Sequence, residues 1–170
     1  IISKDEDGEP DGILYETAIA LVSDGAYELG KEQKARSFQN FLGHAAKLGV
    51  TSIKDMYSIK KLESFELFQE FAEEEKLTMR MHLLPELNGD IERVKELRER
   101  YQSDMVRVVA LKQFIDGVIS GYTAYMLEPY TDRPDRRGET TFSPEVIKKW
   151  VAEADKEGFS IRFHCIGDGA

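Results

Sequence analysis

Residues 105–115 read MVRVVALKQFI, and the placement of this run decides the fold. Its β-branched content marks a strand. Within it Val109 and Leu111 face one way, while Ala110 and Lys112 face the other. Two further runs alternate in the same manner. In LTMRMHLL (77–84), Leu77, Met79 and Met81 oppose Thr78, Arg80 and His82. In FSIRFHCI (159–166), Ile161, Phe163 and Cys165 oppose Ser160, Arg162 and His164. Central strands of an open, doubly wound sheet are covered by helices on both faces and are apolar throughout. One apolar face, with polar groups opposite near the C-terminal ends, suits a barrel whose mouth carries chemistry.

Working outward, amphipathic helices separate these strands. Residues 31–48 place Ala35, Phe38, Phe41, Leu42, Ala45 and Leu48 at helical spacing, and Gly49 ends the run. VTSIKDM (50–56) follows as a strand, and 61–76 form a second helix with Leu62, Phe65, Phe68 and Phe71 as its stripe. Asp90 is placed to cap a helix over 90–102. Residues 143–158 carry a Ser cap, Pro at the first helical position and a closing Gly. The expected architecture is therefore α/β, part of a (β/α)₈ barrel, with four consecutive parallel strands in a single domain over 1–170. A long loop, 117–142, is expected to overhang the barrel mouth.

Composition narrows the partners. The chain has 170 residues, a formal charge of -9 and 41% hydrophobic residues. That balance argues against nucleic acid and anionic membrane surfaces, since both demand a basic face. No apolar run approaches the ~20 residues of a membrane span. A single cysteine excludes an internal disulfide and favours a reducing, cytoplasmic setting. The opening IISKDEDGEPDG lacks Met and is acidic from the fourth residue, so it is no signal peptide. Both ends read as cut from a longer chain.

In this arrangement Lys112 and His164 lie near the C-terminal ends of neighbouring strands on the inward face. A buried lysine is costly unless neutralised, paired or modified. Neutral imidazole is a common metal ligand. Each also has a structural reading, Lys112 paired with Asp116 or Asp168 and His164 hydrogen-bonded in place.

ALKQFIDGVISGYTAYMLEPYTD (110–132) and FHCIGDGA (163–170) resemble the paired signatures of the amidohydrolase superfamily. The likeness is to the amidohydrolase family 3 branch that includes N-substituted formamide deformylases. LGVTSIKDM (48–56) and DGEPDGILYETA (7–18) are similar to further segments of that branch, in the same order. The resemblance implies strands two to five of the barrel, with Lys112 and His164 as ligands of one or two divalent metals, zinc foremost. Lys112 would be carboxylated by CO₂ to bridge two ions. It also implies hydrolysis of a C–N bond, of amide or N-formyl type, in a small-molecule substrate by metal-activated water.

Asp116 and Gly117 are expected to shape the turn after the lysine strand. Asp168 is expected to cap a following helix, and Tyr122 and Tyr130 to line a substrate pocket. Cys165, Gly169 and Tyr122 stand where the branch usually has Ala, Arg and Arg. The implied set further needs a His-x-His pair, a later His and a later Asp. No His-x-His occurs among these residues, so the segment alone is expected to be inactive. Its open strand edges favour self-association into a homo-oligomer. The competing reading is a non-catalytic α/β binding module in which Lys112 and His164 are structural.

Overall fold

A computed structural model describes residues 2–14, 16–19, 21–22, 29–56 and 62–170. The N-terminal segment forms a hairpin that the sequence reading did not anticipate: β1 (Ile2–Lys4) pairs antiparallel with β2 (Pro10–Leu14). The Asp5 carboxylate accepts the N–H groups of Asp7 and Glu9, and Gly8 takes a positive φ, which closes the turn.

The rest is a run of strand–helix units. Helix α1 (Lys31–Lys47) ends at Gly49, whose φ of 73° suits only glycine without strain. It is followed by β3 (Ser52–Met56), α2 (Leu62–Glu73), β4 (Arg80–Leu84) and α3 (Ile91–Arg100). Lys61 and the Leu62 side chain, parts of the expected second helix, lie outside the described residues. Asp90 caps α3 by accepting the Arg93 N–H at 3.1 Å. Two short strands come next, β5 (Val106–Val108) and β6 (Leu111–Phe114), then helix α4 (Pro144–Lys156) with its Ser143 cap, and finally β7 (Ile161–His164).

Among the described residues, the pairings between named strands beyond the hairpin are parallel. β3 pairs with β4, β4 with β5, and β6 with β7. The two sheets join, because β4 continues as extended chain through Leu87. Lys112 N–H donates to the Pro85 carbonyl, and Leu87 N–H donates to the Lys112 carbonyl. Neighbouring strands therefore follow one another in sequence order.

Here the structure corrects the expected single strand over 105–115. Leu83 pairs with Val108, whereas Glu86 pairs with Lys112. Three residues on one chain are matched by four on the other, so one extra residue bulges out at Val109–Leu111. The bulge reverses the side-chain alternation. Before it, Val106 packs into the helix-side core; after it, Leu111 does. A regular strand would have sent Lys112 to the helix side along with Val106.

The two main core clusters lie between the strands and the helices. One cluster joins Leu42 and Ala45 of α1, Phe65, Phe68 and Phe71 of α2, and Met79, Met81 and Leu83 with Leu97, Tyr101 and Val106. The second joins Leu87, Val94, Leu111, Ala154 and Phe159. The opposite face of the strands carries Lys54, His82 and Arg107 in register, then Lys112 beside Arg162, then Phe114 beside His164.

Candidate metal centre

The parallel register places Lys112 opposite Arg162 and Phe114 opposite His164. Lys112 and His164 thus share the open face, one strand across and two residues along. With strands ~4.8 Å apart and ~3.3 Å of rise per residue, their Cα atoms are about 8 Å apart. That is a span two long side chains can close on a common ligand.

Lys112 is 6% exposed. Its ammonium donates to the Gln113 carbonyl at 3.2 Å and lies 4.3 Å from the centroid of the Phe114 ring. Among the described residues no carboxylate pairs with it, so the structural pairing with Asp116 or Asp168 is not formed. Burial holds its pKa below the usual lysine value, partly opposed by the nearby Cys165 thiol. Desolvation therefore favours the neutral amine, the form that can react with CO₂ or bind a metal. The His164 ring is half-buried and tilts against Phe114, centroids 4.7 Å apart. Its carbonyl accepts the Ile115 N–H at 2.9 Å, which fixes the end of β7 against the end of β6.

Asp116, only 2% exposed, does more than shape one turn. One carboxylate oxygen accepts the Ile166 N–H at 2.9 Å; the other accepts Gly167 N–H at 2.7 Å and Tyr125 N–H at 2.9 Å. Burial works against its charge, but the three N–H donors and nearby His164 outweigh it and hold the carboxyl below the usual range. Gly117 N–H closes the following turn on the Thr123 carbonyl. One carboxylate oxygen of Asp168 accepts the Leu127 N–H at 2.8 Å and so anchors the long loop.

Tyr122 and Tyr130 are engaged within that loop. The Tyr130 hydroxyl donates to the Ala124 carbonyl, the Tyr122 hydroxyl to Asp132, and the two rings meet edge to face at 5.2 Å. These contacts pack the loop on itself. Cys165, expected among the helix-side apolar groups, is exposed. His82 sits between Lys54 and Arg107, and burial together with Arg107, Lys54 and Arg80 lowers its pKa.

Sequence reasoning missed Gln113. It is 1% exposed; its amide donates to the Leu87 carbonyl at 2.7 Å and its oxygen accepts the Phe114 N–H at 2.7 Å. The side chain thereby extends the ladder between β4 and β6 where the backbones part. No periodicity signals this; only its place beside Lys112 does.

Among the described residues no group of three or more His, Cys, Asp or Glu side chains could hold a metal ion. Lys112 and His164 offer two donors, a fit to one side of a metal site. No helix among the described residues is long and apolar enough to cross a membrane.

The structure is thus a mixed α/β segment with a desolvated lysine and a histidine on one face at parallel strand ends. The sequence pattern of the amidohydrolase family matches residues 1–170, and the chain belongs to that family. It is 26% identical over 171 residues to the putative amidohydrolase YtcJ of Bacillus subtilis, covering 99% of this chain and 32% of that protein. It is 25% identical to the protein LONG AFTER FAR-RED 3 of Arabidopsis thaliana, covering 96% of this chain and 30% of that one. The fold is shared with an uncharacterized metal-dependent hydrolase from Pyrococcus furiosus (TM-score 0.73, 24% identity, 96% of this chain, 35% of that one). Another from Pyrococcus horikoshii gives a TM-score of 0.74 at 22% identity, over 99% of this chain and 35% of that one. The chain spans about a third of the length of these relatives.

Proposed function

We propose that this chain is a segment of a metal-dependent amidohydrolase, in which β3, β4, the β5–β6 pair and β7 are strands two to five of a (β/α)₈ barrel. Sequential parallel neighbours support this reading, as do helices confined to one face. In it Lys112 and His164 are metal ligands. Remaining ligands come from parts of the protein beyond these residues, and the segment alone is inactive.

The observation that carries the proposal is the desolvated Lys112 amine, unpaired with any carboxylate among the described residues and sharing a face with His164. The neutral amine attacks CO₂ and loses one proton, giving a carbamate whose two oxygens suit divalent ions, zinc first among them. A divalent ion held there supplies the Lewis acidity that activates water and polarises a carbonyl. Phe114 packs against both side chains on this face. The substrate is a small molecule with an amide or N-formyl C–N bond, and the setting is cytoplasmic.

Metal analysis of the full-length protein tests this. Near-stoichiometric zinc, or another divalent metal, should be lost in Lys112→Ala and His164→Ala. A folded full-length protein that takes up no metal, even with added zinc and bicarbonate, overturns the assignment in favour of a binding module.

A further inference from the structure

The Asp116 carboxylate joins three pieces of chain that are far apart in sequence. It belongs to the turn just after β6, four residues beyond Lys112. Ile166 and Gly167, which donate to it, lie two and three residues beyond His164. Tyr125, the third donor, belongs to the long loop. Two further bonds run alongside. Gly169 N–H donates to the Tyr125 carbonyl at 3.0 Å, and Leu127 N–H donates to Asp168. The fit is close: a Cβ on Gly167 would stand 1.9 Å from the Tyr125 carbonyl oxygen, and one on Gly138 would stand 2.1 Å from that of Ala124.

We propose that Asp116 is a positioning residue, which locks the 165–168 turn and the 117–142 loop to the end of β6 and thereby holds His164 in place beside Lys112. The chemistry requires a carboxylate. Its two oxygens accept three N–H groups. An asparagine has one accepting oxygen and turns an N–H₂ donor toward at least one backbone N–H. Charge-assisted bonds to backbone N–H groups are roughly twice as strong as neutral ones, so the lock is stiff while the ion persists. His164 is paired with Phe114 at the end of the β6–β7 ladder, and its carbonyl accepts the Ile115 N–H; Asp116 supplies the constraint on the residues that follow it.

The inference needs no metal for its first test and rests on the proposed ligands only for its second. Amide hydrogen exchange is followed residue by residue in the full-length protein, with and without Asp116→Asn. Exchange at Tyr125, Ile166 and Gly167 should rise at least tenfold. Leu127, which bonds Asp168 and not Asp116, should rise with them, while Met81 and Leu83 in the core strand stay unchanged. The His164 ring resonances should shift, although Asp116 makes no hydrogen bond to that ring. Asp168→Asn should release Leu127 and leave Ile166 and Gly167 protected. Unchanged exchange at Leu127 with unmoved His164 resonances overturns the proposal.

If Asp116→Asn does not fold, the unaltered protein supplies the answer. The three amides should open together as denaturant is raised, and independent openings overturn the proposal. Zinc affinity then separates the two claims. Second-sphere losses are about 10–100-fold, so Asp116→Asn should weaken binding by that factor if His164 is a ligand. Altered exchange and ring shifts without metal binding in either protein would sustain the lock and defeat the metal assignment.

Discussion

Phe114 and His164 face each other across β6 and β7 in register, ring centroids 4.7 Å apart, with the Lys112 ammonium 4.3 Å from the Phe114 ring. The aromatic ring thus packs against both side chains at once. This arrangement depends on the extra residue at Val109–Leu111, which turns Lys112 to the open face.

Deleting Ala110 leaves three steps from Val108 to Lys112, matching the three from Leu83 to Glu86. A regular strand then keeps Val106 and Leu111 toward the helices and Lys112 on the open face. The expected cost is therefore about 0.5–3 kcal/mol, the ordinary range of a single change. Urea denaturation of the deletion variant checks this. A loss above about 4 kcal/mol would contradict a bulge of one residue at Val109–Leu111.

Gln113→Ala leaves the Leu87 carbonyl and the Phe114 N–H without their side-chain partner in a buried position. The expected cost is about 1–3 kcal/mol for each unsatisfied group that water cannot reach. Chemical denaturation measures it. Faster exchange of the Phe114 amide should accompany the loss.

Two glycines give opposite expectations. Gly167→Ala drives a Cβ into the Tyr125 carbonyl at 1.9 Å and should destabilise by about 1–3 kcal/mol or more. Gly43 lies exposed inside α1 with open space around its missing Cβ. Gly43→Ala should therefore stabilise by about 0.5–1 kcal/mol. Thermal denaturation of both variants resolves the signs.

The His82 pKa is lowered first by burial, then by Arg107, Lys54 and Arg80. Its folded value lies below the unfolded 6.5, so the unfolded chain binds more protons in the window between them. Stability therefore rises with pH through that window, and the protein loses stability as the medium is acidified below 6.5. NMR titration should place the His82 midpoint below 6.5, with Arg107→Gln moving it upward. His82→Asn should flatten the stability profile just below that pH.

Much of the chain was legible because local chemistry agrees with the global fold. The Asp90 and Ser143 caps, the Phe65–Phe68–Phe71 stripe and the glycine stop at Gly49 each satisfy a local requirement, and all are formed. The lysine and histidine were found the same way, through their strand positions and their motifs. Other features were not legible, since they depend on partners remote in sequence. Asp168 accepts a backbone N–H 41 residues away, from Leu127 in the long loop. Asp116 accepts N–H groups from Ile166 and Gly167, fifty and fifty-one residues away.

The sequence by itself determined the alternation of strands and helices, the apolar stripes and the candidate pair Lys112 and His164, because these follow from periodicity and side-chain chemistry. Only the tertiary structure decided that 105–115 breaks into two strands, and that Asp116 gathers Tyr125, Ile166 and Gly167. The physical reason is the same in both cases. A bulge is defined by counting residues against a partner strand, and a carboxylate's hydrogen bonds by which backbone groups the fold brings within about 3 Å of it.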